Sequence, residues 1–156
     1  MKEDKDFMCR AIALASESVR RGGGPFGAVI AKDGKVVAEG SNSVTLLNDP
    51  TAHAEVNAIR EACRKLGTFH LEGCTVYTSC EPCPMCLGAI YWAGIKQIFY
   101  GNTRKDAADI GFADDFIYEE MERPLEHRRL PIRPLLRDEA QESFRLWEKK
   151  SDKVEY

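Results

Sequence analysis

The sequence contains no long apolar run. Its most apolar stretch, residues 86–95, covers ten positions, whereas a membrane-spanning helix needs about 20. The N-terminal residues MKEDKDFMCR are charged where a secretory signal would become apolar. We therefore expect a cytoplasmic protein that has no membrane partner.

The chain also lacks an excess of positive charge. Its formal net charge is −3, which gives no overall attraction to a polyanion such as tRNA. Residues 127–137, HRRLPIRPLLR, carry four arginines and no acid, a composition that a phosphate-contacting strip would have. Their alternation with Leu130, Ile132 and Leu135 instead favours a strand with solvated arginines. We therefore do not expect nucleic-acid binding.

No internal repeat, low-complexity segment or long linker divides the 156 residues. A hydrophobic content of 44% is enough for one core, and we predict a single domain over residues 1–156. Asp33-Gly34 predicts a hairpin between short strands at 27–31 and 35–39. Helices and strands alternate along the rest of the chain, which favours a three-layer α/β/α sandwich.

Two of the predicted helices begin at turn signals. Asp49 as N-cap and Pro50 at the first helical position start one helix, which Gly67 ends. Pro82 starts another helix, which runs to about residue 93. The remaining predicted elements are a first helix that ends at Gly22, strands at 75–78, 96–100 and 130–135, and a last helix at 138–149.

Six cysteines in a cytoplasmic chain indicate metal or redox chemistry before disulfides. Cys83 and Cys86 share one face of their predicted helix, and His53 lies in the first turn of the helix before it. One imidazole and two thiolates, with a water in the fourth position, are the pattern of a catalytic zinc site. We therefore predict one zinc ion per subunit, held by His53, Cys83 and Cys86, with a bound water.

Glu55 follows the predicted ligand His53 by two residues. A carboxylate at this spacing can reach a water on the metal without being a ligand itself. It can then take a proton from that water and deliver it elsewhere. We therefore predict Glu55 as the catalytic residue.

Cys80 offers an alternative use of the same ligands. It stands three residues before Cys83 and would complete a closed structural site of one histidine and three cysteines, with no water to activate. That arrangement would leave Glu55 without a role beside the metal. We therefore expect Cys80 not to be a ligand.

The residues around His53 and Cys83 form the pattern HxE…PCxxC, the signature of zinc nucleobase deaminases. The flanking stretches GGPFGAVIAKDG, SNSVTLLNDPTAHAEVNAIREAC and VYTSCEPCPMCLGAIYWAGI, with the later GFADDFIYEE and KVEY, resemble bacterial guanine deaminases of the cytidine deaminase superfamily. The resemblance covers nearly the whole chain. It implies a five-stranded mixed sheet, hydrolysis of guanine to xanthine and ammonia in purine breakdown, and a homodimer that exchanges a C-terminal segment, about residues 120–156.

Two polar residues are implied as contacts to a purine base. Asn42 follows a strand, and its amide can donate to a base carbonyl and accept from a ring N–H; the alternative is an asparagine that makes its own turn. Asp114 resembles the acid that guanine deaminases direct at the donor edge of the purine, with Asp115 as the competing candidate. A carboxylate accepts from guanine, which presents a donor at N1 where adenine presents an acceptor.

Three aromatic residues are also candidates for the substrate pocket. Phe26 and Trp92 are of the type that sandwiches a flat base, although aromatic residues are more often part of a core. The resemblance implies that the terminal residue, Tyr156, lies over the pocket of the partner subunit.

Other functions use the same zinc signature. The nearest is deamination of adenosine in tRNA, and other small amino-heterocycles such as cytosine or aminotriazines are further substrates to consider. Outside enzymes, a zinc-stabilised interaction module would use four protein ligands and would unfold on chelation. We expect a small purine base as the ligand.

Overall fold

The sheet of this protein has four strands, and all of them lie between residues 27 and 102. In the computed structural model, which describes residues 1–156, the strands are β1 (Gly27–Lys32), β2 (Lys35–Ser41), β3 (Thr75–Cys80) and β4 (Gln97–Asn102). They are ordered β2-β1-β3-β4. β1 is antiparallel to β2 and β3, whereas β3 and β4 are parallel. The prediction of a mixed sheet is confirmed, but the predicted fifth strand is absent.

The helices are numbered in chain order. They are α1 (Lys2–Arg20), α2 (Val44–Leu47), α3 (Ala54–Leu66), α4 (Pro84–Trp92), α5 (Arg104–Asp109), α6 (Asp115–Glu122) and α7 (Arg137–Lys149), with a 3-10 turn at Leu125–His127. None of them combines the length and the apolar character that a bilayer crossing requires.

The two faces of the sheet form two separate cores. Alternate residues of β1 point to opposite faces, as the period of two requires. Ala28 and Ile30 pack with α3 and α4, whereas Val29 and Ala31 pack with α1 and Tyr77. Helices therefore cover both sides of the sheet, as the α/β/α prediction stated.

The hairpin between β1 and β2 turns at the predicted dipeptide. Asp33 and Gly34 have φ values of 51° and 75°. Two consecutive positive φ values define the type I′ turn, whose twist matches that of the flanking strands. This turn brings β2 back beside β1, with Gly27 opposite Ser41.

Both helices that carry the predicted ligands begin later than the sequence suggested. Asp49 is not the cap of α3, because its carboxylate accepts hydrogen bonds from the amide and the hydroxyl of Thr51, at 2.8 and 2.7 Å. His53 is the N-cap instead. In α4 the first helical residue is Pro84 rather than Pro82.

Residues 130–135, predicted as a strand, form neither a strand nor a helix. Pro131 and Pro134 interrupt the alternation and cannot donate hydrogen bonds to a neighbouring strand. The Arg128 guanidinium, just before this segment, donates to the carbonyls of Met121 and Arg123 at the end of α6, at 3.2 and 3.3 Å. This arginine is therefore engaged with backbone carbonyls five and seven residues before it.

The chain divides into two compact units, Met1–Asp115 and Phe116–Tyr156. The first contains the whole sheet and both cores. The second contains most of α6 and all of α7, and no residue in it is buried. Phe116–Tyr156 therefore has no hydrophobic core of its own.

Two glycines allow helices to lie directly on the sheet. A Cβ on Gly40 of β2 would lie 2.2 Å from the carbonyl oxygen of Ala54 in α3 and 2.7 Å from the amide nitrogen of Ala58. A Cβ on Gly27 would lie 2.3 Å from the carbonyl oxygen of Ala11 in α1. The obstructing atoms are backbone, so a side chain at either position would push the helix off the sheet.

We expect Gly40→Ala to destabilise the zinc-loaded protein by about 1–3 kcal/mol or more, because the added methyl group overpacks the contact between β2 and α3. Gly88→Ala in α4 is the matched control, since a Cβ there meets no atom within 4 Å; it should leave stability unchanged or raise it by up to about 1 kcal/mol. Urea unfolding followed by circular dichroism measures both values. Equal unfolding midpoints for wild type and Gly40→Ala would contradict the close-packing interpretation.

Candidate active site

Two helix starts bring the three predicted ligands together. His53 is the N-cap of α3, Cys83 is the N-cap of α4, and Cys86 is the third residue of α4. Their ligand atoms all lie within 4.8 Å of one another. The N-terminal ends of helices carry partial positive charge, which favours the thiolate form of both cysteines.

The spacing of these atoms fits a zinc ion. His53 Nδ1 is 3.5 Å from Cys83 Sγ and 3.5 Å from Cys86 Sγ. A tetrahedral zinc with Zn–N of about 2.0 Å and Zn–S of about 2.3 Å separates nitrogen and sulfur ligands by about 3.5 Å. One imidazole and two thiolates are also ligands that zinc prefers. The three residues could therefore hold a zinc ion with three protein ligands, the number found in catalytic zinc sites.

The protonation of the two thiols is coupled. The pKa of Cys83 is lowered, first because Cys86 donates a hydrogen bond to it and then by contact with His53. The pKa of Cys86 is raised, first by the hydrogen bond to Cys83, then by burial and then by the charge on Glu55. A divalent cation at this point would supply the positive charge that allows both thiols to ionise.

Glu55 lies beside the ligands and is almost completely buried. Only 5% of the residue is exposed, and its carboxylate reaches Cys86 closely enough to affect the pKa of that thiol. The hydroxyl of Thr78, in β3, donates to Glu55 Oε1 at 2.5 Å. Sequence reasoning did not identify Thr78, because a threonine in a buried strand carries no signal of its own.

Cys80 lies outside the ligand group. Its thiol donates to the backbone carbonyl of Thr103, with a sulfur–oxygen distance of 3.8 Å. Burial first, and then the charges of Glu55 and Asp114, raise the pKa of Cys80 to about 11. The group of ligand atoms within 4.8 Å of one another contains His53, Cys83 and Cys86 but not Cys80, so the geometry favours three protein ligands over the closed four-ligand site.

Asn42 is buried and its amide group is oriented by the backbone. Its Oδ1 accepts from the amide nitrogens of Gly24, at 3.4 Å, and Val44, at 3.2 Å. Asn42 therefore makes the local turn that was the alternative interpretation. Because the oxygen is occupied by two donors, the side chain offers its Nδ2 hydrogens, and not its oxygen, to a ligand.

The loop that carries Asn42 is tied to the segment that leads into His53. Asn57, in α3, directs its Nδ2 at the Ser41 carbonyl, the Ser43 hydroxyl and the Ala52 carbonyl, at 2.8, 3.2 and 3.3 Å. One side chain thus links the two segments. Sequence reasoning missed Asn57 because its partners lie up to 16 residues away.

Phe26 contacts an aromatic residue that the sequence did not single out. The rings of Phe26 and Phe112 meet edge to face with centroids 5.0 Å apart. Phe112 belongs to the stretch GFADDF, two residues before Asp114. The position of Phe26 is supported by Ser79, whose hydroxyl accepts from the amide nitrogen of Gly27 at 3.0 Å.

The two acids of GFADDF differ in their surroundings. Asp115 is exposed, whereas Asp114 is partly buried. Burial raises the pKa of Asp114, and the negative charges of Cys83 and Asp115 raise it further. The effect of Cys83 places Asp114 within electrostatic range of the metal ligands.

Trp92 and Tyr156 are the remaining two aromatic candidates, and both are largely exposed. Trp92 ends α4 and is 69% exposed. Nine residues of helical rise place it about 13 Å along the axis from Cys83, at the other end of α4. Tyr156 belongs to the second unit and is 84% exposed.

Known proteins share both the site and the fold. Residues 1–102 match the family model of the cytidine and deoxycytidylate deaminase zinc-binding region. The chain is 55% identical to the guanine deaminase of Bacillus subtilis (strain 168) over 151 residues, which are 96% of this chain and 97% of that protein. The X-ray structure of guanine deaminase from Bacillus subtilis matches it with a TM-score of 0.95 at 54% identity, covering 97% of this chain and 98% of that one.

A second group of relatives matches over a shorter length. The tRNA-specific adenosine deaminase of Aquifex aeolicus (strain VF5) is 42% identical over 99 residues, which are 64% of this chain and 66% of that protein. The family model itself spans more than half of the chain. This chain belongs to the cytidine and deoxycytidylate deaminase family, as its signature predicted.

We expect Cys80→Ser to retain one zinc ion per chain, because the Cys80 thiol points to Thr103 and not to the ligands. Cys86→Ser should lower zinc affinity by at least about 10-fold, since it removes a soft thiolate ligand. Zinc content after dialysis against a weak chelator, measured by atomic emission, compares the two variants. Loss of the metal from folded Cys80→Ser would make Cys80 a fourth ligand.

Proposed function

We propose that this protein is a zinc-dependent guanine deaminase that converts guanine and water to xanthine and ammonia. The observation that carries the proposal is the site itself, in which a buried carboxylate, Glu55, lies beside three zinc ligands. The similarity to a guanine deaminase extends over 96% of the chain, beyond the zinc-binding region that other deaminases share. The six cysteines are all free thiols, which suits the reducing cytoplasm.

The chemistry divides between the metal and Glu55. When bound by His53, Cys83 and Cys86, a zinc ion would act as a Lewis acid and lower the pKa of a water to about 7. Glu55 accepts a proton from the attacking water while the oxygen of that water adds to C2 of guanine. Glu55 then protonates the adjacent ring nitrogen. In a second transfer it takes the proton of the new C2 hydroxyl and delivers it to the exocyclic amine, so that the C2–N bond breaks, ammonia leaves and the C2 carbonyl of xanthine forms.

Asn42 and Asp114 account for the choice of guanine. The Nδ2 group of Asn42 donates, so it suits an acceptor such as the O6 carbonyl of guanine. The carboxylate of Asp114 accepts, so it suits the N1–H donor next to that carbonyl. Adenine presents an amine and an acceptor at these two positions. Both polar contacts therefore favour guanine over adenine.

Aromatic side chains complete the proposed pocket. Phe26 supplies one face for the base, and Phe112 supports it through their edge-to-face contact. Stacking of a base on an aromatic ring contributes about 1–3 kcal/mol. Trp92 and Tyr156 contribute to the same pocket from a second subunit, since within one chain Trp92 lies at the far end of α4.

The second unit supports a homodimer. Phe116–Tyr156 buries no residue, although it carries many large apolar side chains. Those more than a third exposed are Phe116, Ile117, Met121, Leu125, Leu130, Ile132, Leu135, Leu136, Phe144, Leu146, Trp147, Val154 and Tyr156. Monomeric proteins rarely expose so much apolar surface. We therefore propose that a segment of about residues 120–156 is exchanged between two copies of the chain.

The second candidate function is deamination of adenosine in tRNA. Its support is the 42% identity to the Aquifex aeolicus enzyme, which covers 64% of this chain. The net charge of −3 gives no general attraction to RNA. Cytosine and aminotriazines are further possible substrates for the same site. A zinc-stabilised interaction module needs four protein ligands, and the ligand group here has three.

We expect the zinc-loaded protein to release ammonia and xanthine from guanine, and Glu55→Gln to retain zinc with kcat lowered at least about 100-fold, because the proton carrier is lost. Coupled ammonia detection and chromatography of xanthine measure the reaction. Glu72→Gln, at an exposed position, is the matched control and should keep wild-type turnover.

Two outcomes would redirect the proposal. Ammonia release from tRNA but not from guanine, with binding that weakens steeply as salt rises, would favour the tRNA function. Full turnover by Glu55→Gln would remove Glu55 from the catalytic role.

We expect deletion of residues 154–156 to raise KM for guanine at least about 10-fold while zinc content stays unchanged, because Tyr156 would no longer cover the partner's pocket. Mixing this variant with inactive Glu55→Gln, after partial unfolding and refolding, should restore wild-type KM. Only a mixed dimer has an intact Glu55 and the partner's intact Tyr156 at one site.

The mixing experiment has a control and a contrary result. Refolding each variant alone should restore nothing. Wild-type KM in the deletion variant by itself would exclude Tyr156 from the pocket, and a monomer in sedimentation would exclude the exchange.

A further inference from the structure

Glu55 is held by a residue of the central strand. The Thr78 hydroxyl lies 2.5 Å from Glu55 Oε1, which is the length of a charge-assisted O–H···O⁻ hydrogen bond. Both residues are buried: Thr78 is 0% exposed and Glu55 is 5% exposed. The contact is therefore shielded from bulk water.

Thr78 is fixed on both sides by the sheet. β3 pairs with β1 and with β4, and Thr78 lies opposite Ala28 in one ladder and Tyr100 in the other. A β-branched side chain in a strand also has few allowed χ1 values. The position of the hydroxyl is thus determined by the sheet and not by a loop.

The support for the Glu55 carboxylate comes from outside its own helix. Glu55 is the second residue of α3, and the hydrogen bond that its Oε1 accepts is donated from β3. A glutamate has three side-chain torsions, and an unanchored carboxylate would sample several orientations, so that ordering it has a substantial cost in entropy. The hydrogen bond from Thr78 selects one of them.

We propose that Thr78 is the positioning residue for the proton carrier: its hydroxyl holds Glu55 Oε1 and leaves Oε2 directed at the reacting atoms. The kinetic consequence of this inference rests on the proposed function, whereas the orientation of Glu55 does not. Thr78 does not touch the substrate, so it acts on the rate of proton transfer and not on the affinity for the base. A catalytic group must be held within about 0.5 Å of its productive position, and neighbouring residues that orient it provide this precision.

Three variants separate the hydroxyl from the packing. Thr78→Val keeps the shape and removes the donor, whereas Thr78→Ser keeps the donor and removes the methyl group. Thr78→Ala differs from Thr78→Ser by the hydroxyl alone. Comparing these two variants isolates the effect of the hydroxyl if the valine variant does not fold. Thr75→Val in the same strand is the matched control, since Thr75 is also buried and lies on the opposite face of the sheet.

We expect Thr78→Val to lower kcat by roughly 10- to 100-fold, the range for lost outer-shell partners, with KM within about twofold and zinc content unchanged. Thr78→Ser should keep kcat within about threefold of wild type, and Thr75→Val should match wild type. Unchanged kcat in Thr78→Val, or equal losses in the serine and alanine variants, would overturn the proposal.

A structural readout tests the same inference without turnover. In crystal structures of the zinc-loaded proteins, Glu55 should adopt one orientation in wild type and Thr78→Ser, and a rotated or divided orientation in Thr78→Val. An identical, fully ordered carboxylate in Thr78→Val would overturn the proposal. If wild type does not act on guanine, the proposed function fails, and this comparison still decides whether Thr78 orients Glu55.

Discussion

The close contact between α3 and the sheet is the constraint on which the site depends. At Gly40 the strand and the helix approach so closely that a methyl group would overlap the Ala54 backbone. This contact sets the distance between the first turn of α3 and the sheet, and therefore the positions of His53 and Glu55. Because α4 follows the central strand β3 closely in sequence, the same sheet also places Cys83. The geometry of the metal ligands is thus a result of helix–sheet packing.

The site gathers several acidic groups in a small space. Two thiols and the Glu55 carboxylate lie together in a largely buried volume, with Asp114 in electrostatic range. The pKa of Cys86 is raised first by its hydrogen bond to Cys83 and that of Asp114 first by burial, and nearby negative charges raise both further. The partial positive charges at the N-terminal ends of α3 and α4 offset only part of the negative charge of these groups. A divalent cation held by His53, Cys83 and Cys86 would balance the charge of the ionised thiols, which would couple metal binding to the stability of this part of the fold.

The parts of the site that could be predicted from the sequence are those encoded locally. His53, Glu55, Cys83 and Cys86 follow from residue type and short spacing, and the hairpin follows from Asp33-Gly34. The helix starts were misplaced because each helix is preceded by more than one good start signal. Local propensity cannot choose between them, and the choice depends on which group accepts each hydrogen bond.

The parts that could not be predicted depend on contacts between distant residues. The amide orientation of Asn42 depends on Gly24, 18 residues earlier. Phe112 acquires a role only through its contact with Phe26.

The end of β3 determines the positions of three separate segments. Thr78 holds Glu55 of α3, Ser79 holds the backbone at the start of β1 at Gly27, and Cys80 contacts Thr103 after β4. Successive side chains of a strand point to opposite faces, so a register shift of one residue would exchange all of these partners at once. Insertions or deletions in β3 would therefore disable the metal site, the aromatic contact and the loop after β4 together. The geometry of β3 therefore fixes the length of this strand more strictly than its own hydrogen-bond ladder alone would require.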